Sequence, residues 1–199
     1  YEGKKPTPAD IAKNLPVERP MLEGKIITSI QENIVTVIKA SSGQGKTTLA
    51  LRSAYLLQNE YTVYQVTVCD NNEQLGNTVQ YFNSRLRLGE KLLILIDNLD
   101  GRVQKWNGLV QLLQAELPTN YKVLLTTREI DWYNYSGDLS NIRSINIIVP
   151  TLEEQEAKNI FQKLKETGNL HPSITNWKRE WNRIAERKLL IEYVYLLTH

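Results

Sequence analysis

The sequence predicts an α/β fold of three layers, a five-stranded parallel sheet between helices, followed by a small helical subdomain. Three observations predict it. Apolar, β-rich runs alternate with stretches of helical spacing, the connections are long enough for crossovers, and the central run "LLILI" carries no polar residue. Long crossovers make successive strands parallel with helices on the sheet faces, and a strand buried on both faces needs no polar alternation.

The elements follow in order. Residues 1–20 hold four of the seven prolines and show no sustained periodicity, which predicts an extended leader. Strands are expected at "IVTVIKA" (34–40), "YTVYQVTV" (61–68), "KLLILID" (91–97), "YKVLLTTR" (121–128) and "IRSINIIVP" (142–150). Helices belong between them: Leu49, Ser53, Leu56 and Leu57 share one helical face, as do Val103, Trp106, Val110, Leu113 and Leu117. Residues 21–150 thus form the sheet domain. Beyond Pro150, residues 151–199 read as helical. A capping box from Thr151 to Glu154 opens an apolar face of Ala157, Ile160, Phe161 and Leu164, and Gly168 ends it. Ile174, Trp177, Trp181 and Ile184 repeat the spacing, and Leu189, Leu190, Tyr193 and Leu197 predict one more helix.

Composition limits the function. With 199 residues, 41% of them hydrophobic, the chain can bury one substantial core. A net charge of +2, from 24 basic and 22 acidic residues, is too balanced for a dedicated nucleic-acid or polybasic membrane surface. The five apolar residues of "LLILI" fall far short of the roughly 20 needed to cross a bilayer. One cysteine, Cys69, cannot form an internal disulfide, and the first residues lack the order of a signal peptide, which favours the cytoplasm. A start at Tyr1 and an end after the apolar "IEYVYLL" suggest a piece of a longer protein.

The stretch "KASSGQGKTTLA", Lys39 to Ala50, lies between the first strand and the first crossover helix. A strand ending at Ala40 and a helix starting near Lys46 leave a turn whose N–H groups lack partners. The helix terminus adds partial positive charge, so the turn can cradle a phosphate chain if no side chain blocks it. Gly43 and Gly45 meet that condition, with the backbones of Ser42 and Gln44 completing the cradle. Lys46 would set a point charge on the terminal phosphates, Thr47 would ligate a magnesium ion bridging them, and Thr48 is left for the inner phosphate. This is the P-loop pattern, with Ala40 where the first glycine usually stands.

Magnesium on a triphosphate also needs a carboxylate near Thr47, at the end of a neighbouring parallel strand. "LLILIDNLD" supplies Asp97. Asp100 either orients or activates an attacking water or caps a helix beginning near Gly101. Asn98 stands where many ATPases carry glutamate, which argues for slow hydrolysis. In "LLTTRE", Thr126, Thr127 and Arg128 close the next strand, where Arg128 either senses a γ-phosphate through a charge-assisted hydrogen bond or is simply solvated.

"GQGKTTLA", "LLILIDNLD" and the "TTR" at 126–128 together resemble a STAND-class P-loop NTPase, the signal-transducing group that includes NB-ARC domains. The resemblance, over about residues 15 to 199, implies that Arg128 senses nucleotide. It implies that Val17 and Arg19 of "NLPVER" meet the base or phosphates, although Glu18 replaces the usual glycine and a Pro-rich leader with a solvated arginine reads equally well, and that Pro150 covers the adenine. "ERKLLIEYVYLL" lacks the proline motif common in the family's helical subdomain, and a winged-helix domain would lie beyond His199. It further implies a switch held closed by ADP and opened by ATP, whose open form makes homo-oligomers and activates an effector domain elsewhere in the chain, in cell-death signalling, immunity, antiphage defence or transcriptional control.

Other residues carry less. Trp106, Trp177 and Trp181 sit at helical spacing with apolar neighbours, as core residues do. Cys69 and the two histidines, His171 and His199, show no arrangement for a nucleophile or a zinc site. Two other classes share the sheet: a nucleic-acid motor or loader ATPase, and a small-molecule kinase with "EIDWYNYSGDLSN" as its acceptor loop.

Overall fold

The computed structural model describes residues 5–116, 120–184, 186 and 188–199. Strands β1 (Val35–Lys39), β2 (Thr62–Gln65), β3 (Leu92–Ile96), β4 (Tyr121–Thr127) and β5 (Ile145–Ile148) form one parallel sheet in the order β2-β3-β4-β1-β5. β4 therefore lies between β1 and β3, with Lys39 opposite Thr127 and Ile96 opposite Leu125. The carboxyl ends of β1 and β4 come level, and β3 ends two positions earlier, on the edge where open α/β sheets place their ligands.

Alternation along the strands divides the core. Ile38, Leu93, Leu95 and Leu124 point to helices α2 (Pro20–Glu32) and α3 (Lys46–Leu56), whose Leu22, Ile26, Ile30, Leu49 and Ala50 cover them. Val37, Ile94, Ile96, Val123 and Leu125 point the other way, onto Val79 and Phe82 of α4 (Asn72–Arg87) and Trp106, Leu109 and Val110 of α5 (Trp106–Glu116). The sheet is sandwiched as expected, and β3 is buried along its whole length. A third cluster joins α7 (Glu154–Glu166), α8 (Trp177–Arg183) and α9 (Leu190–Thr198) through Ile160, Leu164, Trp181, Ile184, Tyr193 and Leu197.

Several expectations need correction. The leader is not extended throughout: α1 (Pro8–Ala12) is capped by Thr7 and Asp10, and α2 begins at Pro20. Both prolines stand at the start of a helix, where the missing N–H costs nothing, so they open helices instead of preventing them. The box opening α7 lies two residues later than expected, where Glu156 accepts from the Glu153 N–H at 3.1 Å. Leu56 is half exposed, off the face that Leu49, Ser53 and Leu57 bury. Val103 belongs to a 3-10 turn ahead of α5, and Leu117 lies outside the described residues. The expected acceptor loop is partly helical, as α6 (Glu129–Tyr135). No helix among the described residues is long and apolar enough to cross a membrane.

Candidate functional site

The turn between β1 and α3 has the backbone its glycines predict. Gly43 (φ +76°) and Gly45 (φ +75°) both lie in the left-handed region that disfavours any Cβ, and Gly45 is the N-cap of α3. The first turn of α3 carries no acidic residue, so its positive end is not neutralised from within. Ser42 and Gly43 are exposed, Thr47 and Thr48 half-buried, and the Gln44 side chain buried. Lys46 Nζ arches back to donate to the Ser41 carbonyl at 2.8 Å. Its pKa is lowered, first by burial and then by the nearby Arg128 charge, against the raising pull of Asp97 and Asp131. An ammonium so placed gains when an anion arrives.

Asp97 follows β3, its side chain only 2% exposed. Its Oδ1 accepts from Thr47 Oγ1 at 2.9 Å and from Thr126 Oγ1 at 2.8 Å, and Thr126 Oγ1 accepts in turn from the Asn98 N–H at 2.7 Å. Two hydroxyls and a strand end therefore fix the carboxylate. Oδ2 has no well-aligned hydrogen-bond donor among the described residues, but the Lys5 ammonium lies 2.7 Å from it as an ion partner. A buried oxygen answered only by an exposed lysine, beside a threonine hydroxyl, is the hard-oxygen set that suits magnesium. Among the described residues no group of three His, Cys, Asp or Glu could hold a metal alone.

The other expected residues fall in three places. Arg128 caps α6 at the end of β4, 53% exposed, with Nε 3.6 Å from Asp131 Oδ2. Asp100 caps the 3-10 turn Gly101–Val103, and its two oxygens take the Arg102 N–H at 2.9 Å and guanidinium at 2.6 Å. These bonds, the side-chain one foremost, hold its carboxyl below the usual 3.8. Such an anion is a weak base, and the geometry is that of a cap. Asn98, in left-handed backbone at φ +69°, adds a bond to Asp100 at 3.4 Å.

Val17 packs against the helical cluster and Pro150 is buried after β5. Arg19 is buried too, and its guanidinium is engaged with protein: Nη1 reaches the Gln44 carbonyl at 3.4 Å, and Nη2 the Thr151 carbonyl at 2.8 Å and Glu156 Oε2 at 3.0 Å.

A family model described as Novel STAND NTPase 5 matches residues 1–140, a span containing the glycine turn, Asp97 and Arg128. The chain belongs to the Novel STAND NTPase 5 family. It is accordingly a nucleotide-binding module of a STAND-type NTPase. A solved katanin chain, from a study of the structural basis of katanin self-assembly, matches with a TM-score of 0.51 at 15% identity. The match covers 83% of this chain and 62% of that one, so this chain spans less than two thirds of the katanin chain. At that identity the likeness shows the fold alone. No curated protein matches the sequence.

Sequence reasoning did not foresee what surrounds the turn of this STAND NTPase domain. Lys5 at Asp97, Glu156 under Arg19, and Leu190 and Ile191 of α9 against the glycines all come from far along the chain. The hydroxyl of Thr126 as a second hold on Asp97 was within reach, since β4 had to lie beside β3 for the triplet to matter.

Proposed function

We propose that this STAND NTPase domain is an ATP/ADP-binding regulatory switch that hydrolyses ATP slowly and controls the assembly of a larger cytoplasmic signalling or immune-type protein. One observation carries the reading: the unneutralised start of α3, the Lys46 ammonium and the Asp97–Thr47–Thr126 hydroxyl network converge at the ends of β1, β3 and β4, with Arg128 beside them.

Each residue then has a role. Backbone N–H groups from Ser42 to Thr48 bind phosphate oxygens, and Lys46 exchanges the Ser41 carbonyl for the terminal phosphates. Thr47 and Asp97 would hold magnesium, which when bound neutralises phosphate charge. Thr126 keeps Asp97 oriented. Arg128, charged and exposed at the strand end, distinguishes a γ-phosphate from its absence. Asp100 is tied to Arg102 and Asn98 is no base, which supports slow turnover suited to a timer. The family resemblance supports ATP-dependent homo-oligomerisation and an effector outside these residues. Self-assembly, named for the katanin neighbour, is in keeping with that reading.

The test is the nucleotide held by the protein. After incubation with excess magnesium and mixed nucleotides, followed by gel filtration and denaturation, chromatography should recover about one adenine nucleotide per chain. Recovery of none, or of guanine nucleotide, would contradict the reading.

A further inference from the structure

Gln44, at the centre of the phosphate turn, has its side chain buried against the helical subdomain. Its Oε1 accepts from the Leu190 N–H at 3.0 Å, the first amide of α9. The α9 side chains follow that bond onto the turn. A Cβ on Gly43 would stand 2.4 Å from Ile191 Cδ1, and one on Gly45 would stand 3.3 Å from Leu190 Cδ2. The Gln44 carbonyl accepts from Arg19 Nη1, and Arg19 Nη2 is held by Glu156 of α7 and by the Thr151 carbonyl. Turn, leader, α7 and α9 thus meet at one residue.

Peptide geometry gives this meeting a consequence. In a trans peptide the C=O of Gln44 and the N–H of Gly45 point in opposite directions. Arg19, by drawing the carbonyl inward, turns the Gly45 N–H outward to where phosphate oxygens would bind. Any rotation of that peptide on phosphate binding must move the carbonyl against Arg19 and shift the Gln44 side chain against α9. The network has room to answer: Gln44 Nε2, Arg19 Nε and Glu156 Oε1 are buried with no hydrogen-bond partner among the described residues. Unmet buried groups disfavour a single fixed arrangement and are available to a second one.

We propose that Gln44 is the positioning residue through which occupancy of the phosphate turn is transmitted to α9, with the Arg19–Glu156 ion pair as its pivot. Arg19 acts here through the Gln44–Gly45 peptide. The inference rests on the nucleotide-switch reading and adds the route by which the helical subdomain reads the site.

Amide hydrogen exchange tests it, on the wild type, Gln44→Met, which lacks the acceptor, and Gln44→Glu, which keeps it. Without nucleotide, Gln44→Met should speed exchange at the first amides of α9 roughly two- to tenfold, the loss of one ordinary hydrogen bond, while Gln44→Glu should not. Unchanged protection in β3 shows that both variants are folded. With each protein saturated in magnesium and ADP or ATP, α9 exchange should change on binding in the wild type and Gln44→Glu but not in Gln44→Met. An equal response of α9 in Gln44→Met, or a wild type that binds nucleotide with no change at α9, would overturn the proposal and leave the binding reading intact. A wild type that binds no nucleotide would overturn both.

Discussion

Replacing Gly43 with alanine would put a methyl group where the first turn of α9 already stands. Two costs add. The residue sits at φ +76°, and left-handed backbone costs a non-glycine residue about 1–2 kcal/mol. The new Cβ would also lie 2.4 Å from Ile191 Cδ1 and 2.8 Å from its Cβ, so the isoleucine or the α9 backbone must move, an overpacking cost of typically 1–3 kcal/mol. Together they predict a loss of about 2–5 kcal/mol, which lowers the melting temperature of a chain this size by roughly 4–20 °C. Gly45→Ala is the internal control: φ is +75°, but the nearest neighbour is the side-chain tip Leu190 Cδ2 at 3.3 Å, which need give only slightly, so the backbone cost of about 1–2 kcal/mol dominates. Ile191→Ala alone should cost little, about 1 kcal/mol, because that side chain is 51% exposed. Combined with Gly43→Ala it should restore about 1–2 kcal/mol, a coupling absent with Gly45→Ala. Urea unfolding followed by far-UV circular dichroism measures all five variants. If Gly43→Ala costs no more than Gly45→Ala, or its effect simply adds to that of Ile191→Ala, then α9 does not press on the phosphate turn.

Two further outcomes depend on pH. Burial pushes the phenols of Tyr121, bonded to the Val110 carbonyl, and Tyr193, bonded to the Trp177 carbonyl, far above the ordinary 10.0. The unfolded chain therefore releases these protons first, so their stabilisation is whole below pH 10 and is lost as pH rises beyond it. Tyrosinate absorbance should show at least these two of the ten tyrosines ionising only as the circular dichroism signal collapses, whereas full ionisation in folded protein would contradict their burial. Burial, then Arg128, lowers the Lys46 pKa below 10.5, so nucleotide affinity should fall as pH rises toward that value while the fold persists; a flat profile up to 10.5 would show that the ammonium does not bind phosphate.

Much of the fold was legible because its signals are local. Uninterrupted apolar runs become strands when crossovers bury both faces, and β3 obeys that rule most fully. Gly43 and Gly45 could be read for the same reason, since few residues other than glycine adopt their backbone. The leader was misread because Pro8 and Pro20 break a chain in one context and open a helix in another, a choice made by the capping pair Thr7–Asp10 and by the buried Leu22, Ile26 and Ile30 face of α2. The surroundings of the turn left no periodic trace. Arg19 and Glu156 are 137 residues apart, and Gln44 and Leu190 are 146 apart. Nothing in either stretch marks its partner. The partner of Asp100, Arg102 two residues on, bonds both its oxygens, a local contact that the spacing of apolar residues does not mark.

That the β1–α3 turn with Lys46 grips a polyphosphate is tested most directly by calorimetric titration of magnesium–ATP and ADP into the wild type and Lys46→Ala. Loss of one charge-assisted hydrogen bond, worth about 1.5–3 kcal/mol, predicts affinity weaker by roughly ten- to a hundredfold for the variant. Equal affinities in the two proteins would contradict the assignment of this turn as the phosphate site.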